Sequence, residues 1–139
     1  MKLKVVLDPG AIIPTRAHST DAGLDLYSPV DGTIYPGSSL RIDTGVHIEI
    51  PTGYVGMIKS KSGLNVKYGI TSEGVIDAGY IGSMVVKLYN HGKDLFYIAK
   101  GQKISQLVLL PIITPDLEQV DTLEETDRGC GGFGSTGAF

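Results

Sequence analysis

Apolar and polar residues alternate in short runs along most of this chain, and the period is that of extended strands. Leu40-Arg41-Ile42-Asp43 and Val46-His47-Ile48-Glu49-Ile50 alternate strictly, as strands with one buried face do. Lys2–Leu7 interleaves apolar residues with lysines. Val85–Tyr89 and Leu95–Ile98 are rich in β-branched and aromatic residues. Ile104–Ile113 is almost continuously apolar and predicts a strand buried on both faces. Turn residues punctuate these runs at Asp8-Pro9-Gly10, Asp31-Gly32, Pro36-Gly37, Pro51-Thr52-Gly53, His91-Gly92 and Lys100-Gly101. Turns repeating every ~8–12 residues predict an all-β sandwich or barrel. Helix is scarce: Ser62–Tyr68 has room for a turn or two, with Ser62 as the expected N-cap.

Composition narrows this picture. A chain of 139 residues fits one domain, residues 1–139. The 19 glycines and 7 prolines agree with many short strands and tight turns. Cys130 is the only cysteine, so no intrachain disulfide can form. The early lysines Lys2 and Lys4 argue against a signal peptide, and no apolar run is long enough for a membrane span. The expectation is a cytoplasmic protein (host cytoplasm if the gene is viral) with no membrane partner. A net charge of −3 without a basic run disfavours nucleic acid. A small phosphorylated ligand remains compatible, given local cations or a metal.

Five segments carry candidate chemistry. Arg128–Gly137 holds five glycines in ten residues and reads as a mobile arm, about residues 128–139. Its backbone N–H groups can form an anion nest. Arg128 offers a forked phosphate donor, and Phe133 a flat face for a base. Lys59-Ser60-Lys61-Ser62-Gly63-Leu64 puts cations and hydroxyls before the expected short helix, a plausible phosphate site. Gly74–Gly82 predicts a hairpin whose tip presents Asp77 as a general base and Tyr80 as a platform. Asp25, between two leucines, must face outward or have a partner; ordering the water shell of a metal is one such role. Gln106 is polar in an apolar strand and is expected to make a specific hydrogen bond. The bland readings are a disordered tail, a surface Lys/Ser turn, an ordinary Asp turn and an outward Asp. His18, His47 and His91 lack metal-ligand spacing, and Tyr27, Tyr54 and Tyr97 read as packing residues.

Taken together and in this order, the segments resemble the five motifs of the trimeric dUTPase family. The resemblance runs from Ala22 to Gly137, through Ala22–Leu26, Lys61–Leu64, Gly74–Gly82, Gly101–Leu107 and Arg128–Gly137. It implies a distorted jelly-roll subunit, a homotrimer whose sites are each shared by three chains, and Mg²⁺ on the triphosphate. It implies hydrolysis of dUTP to dUMP and pyrophosphate by water attack at the α-phosphate. That reaction limits uracil in DNA and supplies dUMP for thymidylate synthesis. By carry-over, Asp77 would activate the water and touch the ribose. Tyr80 would exclude a 2′-hydroxyl, and backbone around Val75 and Ile76 would read uracil. Lys61, Ser62, Gly63 and Gln106 would contact phosphates, as would Arg128, Gly134, Ser135 and Thr136 of the arm. Phe133 would cover the uracil, and Asp25 would act in the outer shell of the metal. The sequence departs from the pattern where Lys61 replaces the usual Arg, which removes the bidentate fork. Ser105 replaces a usual Ala, and Ile81 stands where a basic residue is frequent. Two rivals are a dCTP deaminase-like enzyme of the same fold, which lacks this arm, and a nucleotide-switched regulatory protein.

Overall fold

A computed structural model describes residues Met1–Phe139. The chain is nearly all strand: β1 (Val5–Leu7), β2 (Gly23–Tyr27), β3 (Gly32–Ile34), β4 (Ser39–Asp43), β5 (Val46–Ile48), β6 (Tyr54–Lys59), α1 (Ser62–Tyr68), β7 (Ile70–Thr71), β8 (Glu73–Ile76), β9 (Val85–Asn90), β10 (Phe96–Ile98) and β11 (Lys103–Pro111). These form a four-stranded sheet β2-β11-β6-β8, a three-stranded sheet β4-β9-β7, and the pairs β1-β5 and β10-β3. Every ladder is antiparallel. The sheets pack face to face as a distorted jelly roll. The alternation read from sequence explains the core: Ile42, Val46, Ile48, Ile58, Val86, Leu88, Ile104 and Leu107 all point inward and are buried.

Two glycines lock the one helix in place. Gly69 ends α1 in the left-handed region at φ 70, and its N–H caps Asn65. A Cβ on Gly69 would come within 2.8 Å of the Gly92 nitrogen, and one on Gly92 within 2.6 Å of the Tyr68 carbonyl. The helix therefore abuts the end of β9 with no room between backbones.

The structure corrects several expectations. Lys61, with extended φ −80 and ψ 128, is the N-cap of α1, and Ser62 is already helical. The long apolar strand is buried only in its first half; Leu110, Ile112 and Ile113 are exposed. β8 and β9 do not form a hairpin ladder. β8 pairs with β6, and β9 with β4 and β7, so residues 77–84 bridge two sheets. Tyr97 is exposed rather than packed, whereas Tyr54 packs on the core. Past Pro111 the chain has no strand, and Phe133 and Phe139 are fully exposed.

Candidate active site

Strand register gathers three of the candidate segments at one end of the four-stranded sheet. Gln106 on β11 lies opposite Asp25 on β2 and Lys59 on β6, and Lys59 lies opposite Glu73 on β8. Residues directly opposite share a face, so Asp25, Gln106, Lys59 and Glu73 form one row across the sheet. From that row the chain leaves β6 through Ser60 and Lys61 into α1.

Asp25 is buried, which corrects the outward-facing alternative: it has partners instead. Lys61 ion-pairs with its Oδ1, and Lys103 Nζ lies 3.0 Å from its Oδ2. Burial pushes the Asp25 carboxyl up, but hydrogen bonds and charge from Lys61 and Lys103 outweigh it, and the pKa falls below the usual carboxylate value. The same ion pair raises the pKa of Lys103, first through the hydrogen bond to Asp25. Two lysines on one carboxylate leave a surplus positive charge. Lys103 escaped the sequence reading because only strand pairing reveals it: β11 shifts register between Lys103 and Ser105, beside β2.

Gln106 donates from Nε2 to the Ser60 carbonyl at 2.9 Å, the specific bond expected of a polar residue in that strand. Gly23 makes room for it: a Cβ there would fall 2.0 Å from Gln106 Oε1 and 3.1 Å from its Cβ. A buried hydroxyl chain supports the same loop. Ser105 Oγ donates to the Lys59 carbonyl at 2.8 Å, so its lone pair accepts from Ser72 Oγ at 2.7 Å. Ser60 Oγ accepts from the Ser72 N–H at 2.9 Å. Ser105 thus braces the Ser60–Lys61 loop, a role its sequence position did not suggest. At the loop's end, Ser62 and Gly63 are exposed, and no side chain caps the first-turn N–H groups of α1.

Asp77 and Tyr80 lie elsewhere. On the β6–β8 ladder, Lys59 pairs with Glu73 and Gly56 with Ile76. Asp77 therefore follows the opposite end of the ladder, at least ~10 Å from the Lys59 row at ~3.4 Å per strand residue. It opens a turn in which its carbonyl accepts from Tyr80 N–H at 3.2 Å. The Tyr80 ring folds over Gly82, where a Cβ would lie 2.4 Å from its oxygen, and its hydroxyl donates to the Ser83 carbonyl at 2.9 Å. Val75, Ile76, Asp77, Tyr80, Ser83 and Val85 line a shallow cavity of about 240 Å³. That is smaller than the ~300–1,000 Å³ typical of a small-molecule site.

The arm reaches neither region of its own chain's site. Arg128 Nε donates to the Gly131 carbonyl at 2.8 Å, closing a local turn, and further turns join Gly132 to Ser135 and Gly134 to Gly137. Phe133, Gly134, Ser135 and Thr136 are exposed. No three His, Cys, Asp or Glu side chains converge to cage a metal. No helix is long and apolar enough to cross a membrane.

A model of the dUTPase family matches residues 10–137. The deoxyuridine 5'-triphosphate nucleotidohydrolase of Gloeothece citriformis is 47% identical, covering 99% of this chain and 97% of that one. Among solved structures, the Staphylococcus bacteriophage 80alpha dUTPase with dUPNHPP superposes with a TM-score of 0.92 at 35% identity, covering 98% of both chains. A mutant dUTPase from phage phi11 of S. aureus, which coordinates a structural Mg(II) ion, superposes with a TM-score of 0.83 at 32% identity, covering 90% of this chain and 100% of that one.

Proposed function

The chain belongs to the dUTPase family and hydrolyses dUTP, and from that premise we propose that it does so in sites assembled from three copies of itself. The observation that carries this is the distribution of the chemistry. The Asp25–Lys61–Gln106 cluster and the Asp77–Tyr80 turn occupy opposite ends of one ladder, and the arm touches neither. The cavity beside Asp77 is too small to enclose a nucleoside triphosphate alone. A homotrimer resolves all three facts. One subunit brings its phosphate cluster to a second subunit's Asp77 turn, and the arm of a third closes over both. Exposed Ile113, Leu117, Val120 and Leu123, which lead to the arm, would be covered in such an assembly.

In this site Lys61, the open N–H groups of Ser62 and Gly63, and Gln106 hold the phosphates. Asp77 takes a proton from the attacking water at the α-phosphorus, and its carboxylate also meets the ribose. Phosphoryl transfer needs mainly positioning and charge stabilisation, which suits a cluster with surplus positive charge. Backbone at Val75 and Ile76 reads the uracil edge. Arg128, Gly134, Ser135 and Thr136 hold the far phosphates, and Phe133 covers the base and excludes water.

The residues fit a Mg²⁺ ion that arrives on the nucleotide. With no cluster of ligands to cage it, the ion would keep several waters, as Mg²⁺ usually does. Asp25 would reach it through one of them, since each carboxylate oxygen keeps a lone pair beyond its lysine. Bound there, the ion would neutralise and orient the triphosphate.

Two outcomes test this reading. Tyr80 is folded over Gly82 and pinned by its bond to the Ser83 carbonyl, and a ring held there would exclude a 2′-hydroxyl. Pyrophosphate release should be far faster from dUTP than from UTP or dCTP, and Tyr80→Ala should raise kcat/KM for UTP relative to dUTP by roughly tenfold or more. Comparable rates on dUTP and dCTP would rule out the uracil reading, whereas release of ammonia from dCTP without pyrophosphate would favour the deaminase-like rival. Cys130 reports the arm. The thiol is exposed in the free chain and lies near Arg128 and Phe133. Its alkylation should slow with a non-hydrolysable dUTP analogue and much less with dUMP, which lacks the phosphates that Arg128 would hold. Equal rates in all three states would mean that the arm does not close over the thiol.

A further inference from the structure

The segment Asp77–Gly82 is exposed apart from the half-buried Gly82, and one hydrogen bond from outside the loop holds its tip. Its far end is moored differently. Met84 N–H donates to the Val46 carbonyl at 2.9 Å, Thr44 Oγ1 donates to the Met84 carbonyl at 2.6 Å, and Ser83 donates to Asp43. At the tip, the single bond comes from His47 at the centre of β5. Its Nδ1 lies 2.8 Å from the Ile81 carbonyl, and its Nε2 lies 3.0 Å from Asp8 Oδ1. A carbonyl oxygen and a carboxylate oxygen only accept. A neutral imidazole has one N–H and can satisfy only one of them. Both contacts are hydrogen bonds only when both ring nitrogens carry protons.

We propose that His47 is a positioning residue for dUTP hydrolysis: as an imidazolium it ties the Asp77–Tyr80 turn to the body through the Ile81 carbonyl, and the tie weakens when the ring loses a proton. The proposal rests on the reading that this turn carries the base and the sugar platform. The surroundings agree with it. The hydrogen bond to Ile81, then that to Asp8, and the charges of Asp8 and Asp43 raise the His47 pKa above its ordinary 6.5. Lys4 and Glu49, from β1's approach and β5's end, line the same recess and pair with each other at 3.5 Å, so they largely cancel. Because the folded-state pKa is raised, the tie is complete below that value and is lost as pH rises through it, since the one remaining proton stays on Nε2 facing the stronger acceptor, the Asp8 carboxylate. Ile81 and Tyr80 are adjacent, so slack at the one carbonyl transmits directly to the ring that screens the sugar.

The test uses the intact protein. Imidazole NMR of selectively labelled histidine should show His47 titrating above 6.5, with both nitrogens protonated below that transition and the Ile81 carbonyl signal following it. In wild type, kcat/KM for dUTP should fall about tenfold through that transition, the order expected for one charge-assisted hydrogen bond. Selectivity for dUTP over UTP should fall with it. In His47→Gln the amide can still donate to Ile81 but does not titrate, so this limb should vanish. A His47 that titrates at or below 6.5, or an unchanged limb in His47→Gln, overturns the proposal. If His47→Gln does not fold, the wild-type NMR titration still decides. Full turnover in Asp77→Asn would instead remove the base assignment, leaving the His47 titration to be judged by itself.

Discussion

Replacing Asp77 with asparagine should cost ~10²–10⁴ in turnover, the usual worth of a general base, while dUTP binding persists. Asp77 is exposed at the start of its turn. None of the hydrogen bonds that shape the turn involves its carboxylate: the carbonyl accepts from Tyr80, and Ser83 and His47 hold the rest. Asparagine preserves size and turn propensity. The fold should therefore survive, and the lost function isolates proton abstraction from positioning. Single-turnover pyrophosphate release measures the chemistry, and equilibrium binding of a non-hydrolysable analogue measures the site. Near wild-type turnover would remove Asp77 from the mechanism. A matched loss of binding would make it a substrate anchor instead.

Removing residues 128–139 should leave the trimer intact and lower kcat/KM on the order of 10²-fold or more, the scale of losing a charge clamp and a closing lid. In the structure the arm buries nothing against its own chain: Phe133 and Phe139 are fully exposed, and Arg128 bonds only within the arm. A segment that buries so little apolar surface adds little to folding or assembly. All that it contributes should thus appear when nucleotide is bound. Light scattering checks the assembly and pyrophosphate release checks the chemistry. A monomer in solution would contradict the shared site, and full activity after the deletion would separate the arm from it.

Much of this was legible in the chain. Strands β4 and β5 follow directly from alternation, because a one-residue slip would turn every apolar side chain to solvent, and β9 follows from its β-branched and aromatic content. The five candidate segments announce their chemistry by residue type. What the sequence hides is pairing. Nothing in Gly74–Gly82 says that β8 and β9 join different sheets, so the expected hairpin is really a bridge. Nothing near Asp25 reveals Lys103, which reaches it only through the register of β11. Ser105 looks like a tolerated substitution until Ser72 and the Lys59 carbonyl are set beside it. The alternation that predicts β5 puts His47 on its outward face, but its two acceptors lie 34 and 39 positions away in sequence.

The close approach of the Gly69 and Gly92 segments leaves neither position room for a side chain. A Cβ on Gly69 would meet the Gly92 nitrogen at 2.8 Å, and one on Gly92 would meet the Tyr68 carbonyl oxygen at 2.6 Å. No compensating change at the second position can relieve the first, because the obstacle is backbone rather than a side chain that could shrink. Both positions are therefore closed to any residue with a Cβ, whereas Val66 and Lys93 nearby are exposed. That rigidity anchors the far end of α1. A substitution in the loop at its start, at Lys61 for example, should therefore leave that end of the helix in place.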